Sequence, residues 1–382
     1  MMNRFKIYLA VIFLVFFLSG KSAFPIKVDF INPGVSHTSG KTGAFWFMVS
    51  EFMKAAANDL GIELEVHYAQ REYVKMIELT KKAVNKQPPP DYLIIVNEKL
   101  IANKLIKIAY QKNIKTLLIL NDLTPAQKKQ LTQRKDYSEK LLGAVTPDNV
   151  SAGYLIAKAL IEKGRQIKKD KLQMIAINGS RVTPASVERE TGLNKALAQY
   201  KKNVDLNQLT YGEWRKDKSY IKTKVLLRRY PDTDLIWTAN DPMALGAVKA
   251  AEEEGKIPGK DIFIGGLNWS RAGLDAVKND KLVITAGGHF MVGGFSLVIL
   301  YDIYNGCKSF NRSKYMEIDV FRGMDKEMIK NYNTYFQEQK FNKINFKNLS
   351  NCCNPAQSEY SFGIETLIKQ QKGKISQEQI SK

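Results

Sequence analysis

The side chains able to do chemistry in this 382-residue chain fall into two groups, and only one of them is organised. His37, His67 and His289 are too scattered to suggest a metal triad, and neither HExxH nor Cys-x-x-Cys occurs. Ser180 follows an expected strand, yet no motif places a base beside it. No cofactor is implied. The organised group consists of planar hydrogen-bonding side chains and flat aromatic rings: Phe45, Trp46, Asn121, Arg189, Trp214, Asn240, Asn268 and His289. An Asn amide both donates and accepts, and a guanidinium presents a planar fork of donors. An aromatic ring covers an apolar face. These types together suit noncovalent recognition of a small ligand with one apolar face and a rim of hydroxyls. A hydrogen bond from a charged group is worth about 1.5–3 kcal/mol against about 1 for a neutral one, so Arg189 should dominate the polar contribution.

What makes them a group is where the chain puts them. The stretch Trp237–Gly255, WTANDPMALGAVKAAEEEG, shows the device. A short apolar strand ends on Asn240-Asp241, Pro242 opens a helix, and Gly255 stops it. In open α/β sheets, that strand-to-helix edge is where ligands bind. Each residue also has a plainer use. Phe45, Trp46 and Phe47 would serve as core, Asn240 as a helix cap, and Arg189 as a partner of Glu188 or Glu190. Their shared position at strand ends and first helical turns favours a site.

The elements that carry them alternate strictly. Ile26–Ile31, Glu63–Tyr68, Asp91–Val96 and Lys115–Leu120 read as strands, with helices over 45–60, 73–86 and 100–111 between them. The pattern restarts with helices over 152–163, 187–200 and 219–229 and strands over 172–177, 205–209, 234–239, 262–267 and 283–286. An apolar helix then covers 293–304. Such alternation specifies parallel sheets with helices on both faces. The fold class is therefore α/β, two Rossmann-like lobes joined by several chain crossings. Residues 311–382, polar and rich in Asn and Lys, read as an extended tail packed on one lobe, with some disorder expected within 372–382.

The formal charge is +20, but the Lys residues are dispersed among acids and no basic-aromatic module stands out. A solvated surface is the reading, with no nucleic-acid partner. Arg4 and Lys6 precede the apolar run Ile7–Leu18 and the small residues Ser19, Gly20, Ser22 and Ala23. Twelve apolar residues suit an export signal cleaved near Ala23 better than a membrane span. Cys307, Cys352 and Cys353 permit one disulfide from Cys307 to either of the others, or free thiols.

The Asn-Asp pair before M-A-L-G, the aromatic pair Phe45-Trp46, the R-x-x-G of Arg189 and Gly192, and Trp214 occur in the order found in type I periplasmic binding proteins of the sugar-binding class. Between Ile26 and Tyr304 the chain resembles that class. The resemblance implies that Phe45-Trp46 stacks on a sugar ring, Arg189 grips hydroxyls, and Asn240 places an amide on the ligand. Asn268 falls where sugar binders carry Asp, Asn121 where relatives have Asp-Arg, and His289 follows Gly287-Gly288 near a usual Gln. The resemblance also implies a monomeric, periplasmic, non-enzymatic receptor that closes on a small sugar-like ligand and presents it to an ABC permease. An autoinducer-2-like or sugar receptor signalling to a membrane sensor kinase is the alternative. The expected division is a signal over 1–23, a first lobe of 24–140 with 289–318, and a second lobe and tail of 141–288 with 319–382.

Overall fold

The computed structural model describes residues 25–37, 42–133, 139–168, 170–307, 315–336, 341–355, 357 and 359–380. The expected export signal and its cleavage point lie outside these residues. No helix among the described residues is long and apolar enough to cross a membrane.

The first half runs β1 (Ile26–Asn32), α1 (Phe45–Leu60), β2 (Ile62–Tyr68), α2 (Tyr73–Val84), β3 (Tyr92–Ile95), α3 (Ala102–Tyr110), β4 (Lys115–Ile119), α4 (Pro125–Thr132) and β5 (Leu141–Pro147). The second repeats it as α5 (Asn149–Arg165), β6 (Leu172–Asn178), α6 (Pro184–Gln199), β7 (Val204–Tyr211), α7 (Lys216–Arg229), β8 (Leu235–Thr238), α8 (Asp241–Glu253), β9 (Phe263–Leu267), α9 (Arg271–Lys278) and β10 (Ile284–Gly287). After α10 (Val292–Tyr304) come β11 (Tyr315–Ile318), β12 (Arg322–Met324), α11 (Lys326–Tyr335) and α12 (Ile364–Ile380).

The two sheets have the same plan. Their strand orders are β11-β5-β4-β3-β1-β2 and β12-β10-β9-β8-β6-β7. All pairings are parallel except that of β10 with β12. The inner strands β3, β8 and β10 are buried along their whole length, as strands covered on both faces must be. In each sheet the strand order reverses beside the first strand, and the carboxyl ends of both sheets face one cleft. The chain passes between lobes after Pro147, after Gly287 and between Ile318 and Arg322.

Two departures from the sequence reading concern where segments pack. Leu141–Pro147, expected to open the second lobe, pairs with β4 and belongs to the first sheet. The segment after residue 314 is not a tail on one lobe. It adds β11 to the first sheet and β12 to the second, and its aromatics enter the core. Phe341 and Phe346 stand 5.0 and 5.2 Å from Phe52 of α1, edge to face, while Tyr332 lies 5.7 Å from Trp269 of the second lobe. Cys307 and Cys352 form a disulfide, and Cys353 is free and exposed. Beside the disulfide, buried Asp302 accepts from Asn351 N at 2.8 Å and from the Tyr360 hydroxyl at 2.9 Å.

Candidate functional site

Each lobe fixes its cleft edge with an Asn at the end of its first strand. Asn32 donates through Nδ2 to the Trp46 carbonyl at 2.9 Å and Ser50 Oγ at 2.8 Å, and Oδ1 accepts from Gly34 N at 2.7 Å. This ties the start of α1 to β1 and so places Phe45 and Trp46. Gly34 is required there, because a Cβ on it would lie 2.1 Å from Trp46 Cβ. Asn178 does the same in the second lobe, bonding the Ser186 carbonyl, Glu190 and Gly179 N.

Arg189 owes its position to two glycines. α5 and α6 cross so closely that a Cβ on Gly153 would sit 2.0 Å from the Arg189 carbonyl, and one on Gly192 would sit 1.9 Å from that of Val150. The crossing presents the Arg189 side chain to the cleft. Its Nε donates to Asn149 Oδ1 at 3.0 Å and its Nη1 to the Ala239 carbonyl at 2.8 Å. The guanidinium lies 5.5 Å from the Trp214 ring and 5.9 Å from that of Phe321. It is 4% exposed, so it is a buried cation rather than a residue of an open, wet wall. Burial lowers its pKa to about 10, opposed by Glu188, and it stays charged at neutral pH. Glu188 hydrogen-bonds not to Arg189 but to Asn149 Nδ2 at 2.9 Å, and burial raises its own pKa.

Trp214 is held in the left-handed region at φ 61° by a loop whose Gly212 and Glu213 amides donate to Asn178 and Gly179. Its indole lies flat on Gly179, where a Cβ would approach Cζ2 to 2.2 Å. Asn240 caps α8, accepting from Met243 N at 2.9 Å, and donates to the Trp214 carbonyl at 3.2 Å. The plainer use of Asn240 is therefore real, and it serves the site by holding Trp214. Its neighbour Asp241 is wholly buried and faces away, accepting from Thr285 Oγ1 at 2.6 Å and from Ser270 N and Oγ at 2.9 and 2.7 Å.

Asn121, at the end of β4, accepts from Ala185 N at the start of α6 at 2.9 Å, so it bridges the lobes. His289 stacks on Phe45 at 4.3 Å and tilts against Phe321 at 4.9 Å. Burial and the charge of Arg189 hold its pKa well below the usual histidine value, so the ring is neutral. Asn268 follows β9 with φ 148°, and among the described residues no hydrogen bond engages its side chain.

All eight expected residues line one cavity of about 580 Å³, its open mouth included. Buried polar atoms without a protein partner gather on its walls: Trp214 Nε1, His289 Nδ1 and Thr183 Oγ1. Native interiors leave few such atoms, and a cluster of them marks where another molecule's polar groups belong. Sequence reasoning missed Thr42, Arg71, Glu98, Asn149 and Thr183, which share the lining. Glu98 is 3% exposed and takes a 2.9 Å bond from Arg71. Its signal was weaker than that of Asn121, since it lies not next to the apolar run ending at Val96 but one residue further on, after Asn97.

Comparison with known proteins agrees with this geometry. Residues 35–306 match the family model described as a periplasmic binding protein domain. The crystal structure of a periplasmic sugar-binding protein from Pseudomonas fluorescens is 34% identical with a TM-score of 0.79, covering 90% of this chain and 99% of that one. The ribose import binding protein of Escherichia coli K12 is 24% identical over 247 residues, 63% of this chain and 74% of its own. That of Salmonella typhimurium is 30% identical over 141 residues, 37% of this chain. The match spans 45% of the Salmonella protein's length. Family match, repeated α/β lobes and a cleft at the strand ends agree, and the chain belongs to the periplasmic binding protein family, in its type I sugar-binding class.

Proposed function

We propose that this chain is an exported receptor that closes its lobes over a small sugar-like ligand and presents it to an ABC permease. The observation that carries this reading is the cavity wall itself. Phe45, Trp46 and Trp214 supply ring faces, while the unpartnered Trp214 Nε1, His289 Nδ1 and Thr183 Oγ1 and the free Asn268 amide supply a belt of hydrogen-bonding groups. A polyol meets both needs, since its hydroxyls donate and accept around a ring with an apolar face. The E. coli and Salmonella relatives are ribose import binding proteins, which supports uptake as the use made of binding.

Closure is a consequence of where the contacts come from. Ligand between Phe45–Trp46 of one lobe and Arg189–Trp214 of the other favours the closed form only as far as it binds that form better. Titration calorimetry against pentoses, hexoses and their acid derivatives, with scattering of the free and loaded protein, tests this. Micromolar binding of at least one, with compaction, is expected. Binding of none of them rejects the reading.

A further inference from the structure

The cavity has an unbalanced charge. Its described lining contains three ionised side chains, Arg71, Glu98 and Arg189. Arg71 and Glu98 neutralise one another at 2.9 Å, both on the first lobe. Arg189 has no such partner. Its described hydrogen bonds go to the neutral oxygens of Asn149 and Ala239, and Nη2 is uncommitted among the described residues. The nearest acid, Glu188, reaches it only through the Asn149 amide. A buried cation without an ion-pair partner is costly, and an anion brought by a ligand would offset that cost.

The surrounding groups repeat the bias. Asn268, 4% exposed and free of protein hydrogen bonds through its side chain, adds an amide to the second-lobe side but no charge. Trp214 Nε1, a donor only, is also unpartnered, and its ring lies 5.5 Å from the guanidinium. That side therefore offers an excess of donors. The first lobe answers with Glu98, whose Oε1 receives Arg71 and whose Oε2 has no partner among the described residues. A free carboxylate oxygen accepts from hydroxyls and repels a second acid.

Building on the proposed sugar-receptor reading, we propose that the preferred ligand is a monobasic sugar acid, an aldonate or uronate. Its carboxylate sits on Arg189 Nη2 with Asn268 and Trp214 Nε1, and its hydroxyls face Glu98. The persistent charge of Arg189, whose pKa stays near 10, keeps this attraction through the neutral range. His289, held neutral, adds no second cation that would favour a dianion.

The experiment is titration calorimetry on the full protein, freed of carried ligand, with matched pairs: ribose and ribonate, arabinose and arabinonate, galactose and galacturonate, and ribose 5-phosphate as a dianion. At least one acid should bind tenfold or more tighter than its neutral partner and tighter than the phosphate. Asn268→Asp, which adds the missing negative charge at a side chain with no protein bonds to lose, should shrink that gap below twofold or invert it. Neutral sugars that bind as tightly as their acids overturn the proposal and leave the sugar receptor standing. A preferred phosphate overturns it in favour of a dianion site. If no member of any pair binds, the receptor reading fails and takes this proposal with it. The wild-type comparison decides even where the variant does not fold.

Discussion

Asn121 and Ala185 lie in different lobes, and the backbone amide of Ala185 donates to Asn121 Oδ1 at 2.9 Å. A second contact between the lobes is that of Gly43, at φ 74°, which packs against Pro242 of α8 so close that a Cβ would come within 2.8 Å of its Cγ. These two contacts join the lobes through protein alone, and on the proposed hinge closure they would act as a latch. One neutral hydrogen bond is worth about 1 kcal/mol, so Asn121→Ala should shift the closed-to-open ratio about fivefold toward open. Single-molecule distance measurements between the lobes, without ligand, read that ratio, and an unchanged distribution would remove Asn121 from the latch.

Gly179 should be intolerant of any side chain. Ala there would meet three atoms of the Trp214 indole at 2.2–2.4 Å and push the ring into the cavity. We expect Gly179→Ala to weaken ligand binding at least as much as Trp214→Ala, about 2–3 kcal/mol of lost ring coverage, with little change in the folded state. Calorimetry on both variants settles it, and wild-type affinity in Gly179→Ala would show that the ring has somewhere else to go.

Arg189→Lys should cost both binding and stability. Lysine keeps the charge but not the planar fork, so binding should fall by about 1.5–3 kcal/mol. The cation is buried, and Asn149 and the Ala239 carbonyl lose their donor. The ligand-free protein should lose roughly 1–3 kcal/mol as well. Denaturant melts with titration calorimetry separate the two effects. A variant that melts like wild type and binds like wild type contradicts both.

Asp241 gives a pH signature. Burial pushes its pKa up from 3.8 to about 6, against hydrogen bonds from Thr285 and Ser270. The folded form therefore holds its proton to higher pH than the unfolded chain. The resulting stability is fully present below about pH 4 and lost as pH rises through about 6, a change of about 3 kcal/mol at 1.36 kcal/mol for each unit. The stability difference between wild type and Asp241→Asn, measured from pH 3.5 to 7.5, should fall by that order. A flat difference means the carboxylate titrates as it does in the unfolded chain.

The Cys307–Cys352 bridge closes a span of 45 residues. Chain entropy for a loop of that length gives about 4 kcal/mol and bridges typically deliver about 2–4, so Cys307→Ser should lower the unfolding free energy by about 2–4 kcal/mol. Cys307 is the side to change, because Cys353 stands beside Cys352 and is free. Urea melts of the variant and of reduced wild type should coincide.

The site was legible in the sequence because of sheet geometry. Where the strands run parallel and the inner ones are buried, those strands read as unbroken apolar runs, and the residue closing each run lies at one edge. Asn121, Asn240 and Asn268 each end such a run, and so they converge although up to 147 residues apart (268 − 121). Glu98 stands two residues past such a run, and its partnership with Arg71 depends on the turn after β2, which no periodicity encodes. β5 was obscured by its irregular start, where Leu142 is skipped in the register with β4 and Gly143 takes φ 134°. The C-terminal segment was opaque for another reason. Phe341 and Phe346 are isolated aromatics in a polar stretch, and their meaning lies in Phe52, nearly 300 residues earlier. The strands β11 and β12 have four and three residues, too short to show alternation.

Those two short strands have a consequence beyond the cleft. Without them β5 and β10 would each end a sheet with a row of unsatisfied amides and carbonyls, on strands that are mostly apolar. Such bare borders are templates for pairing between molecules. One continuous stretch from 315 to 324 seals both at once, so a chain clipped before it would expose two sticky borders together. Self-association into intermolecular β-structure, rather than a simple loss of affinity, is the failure expected of such a fragment.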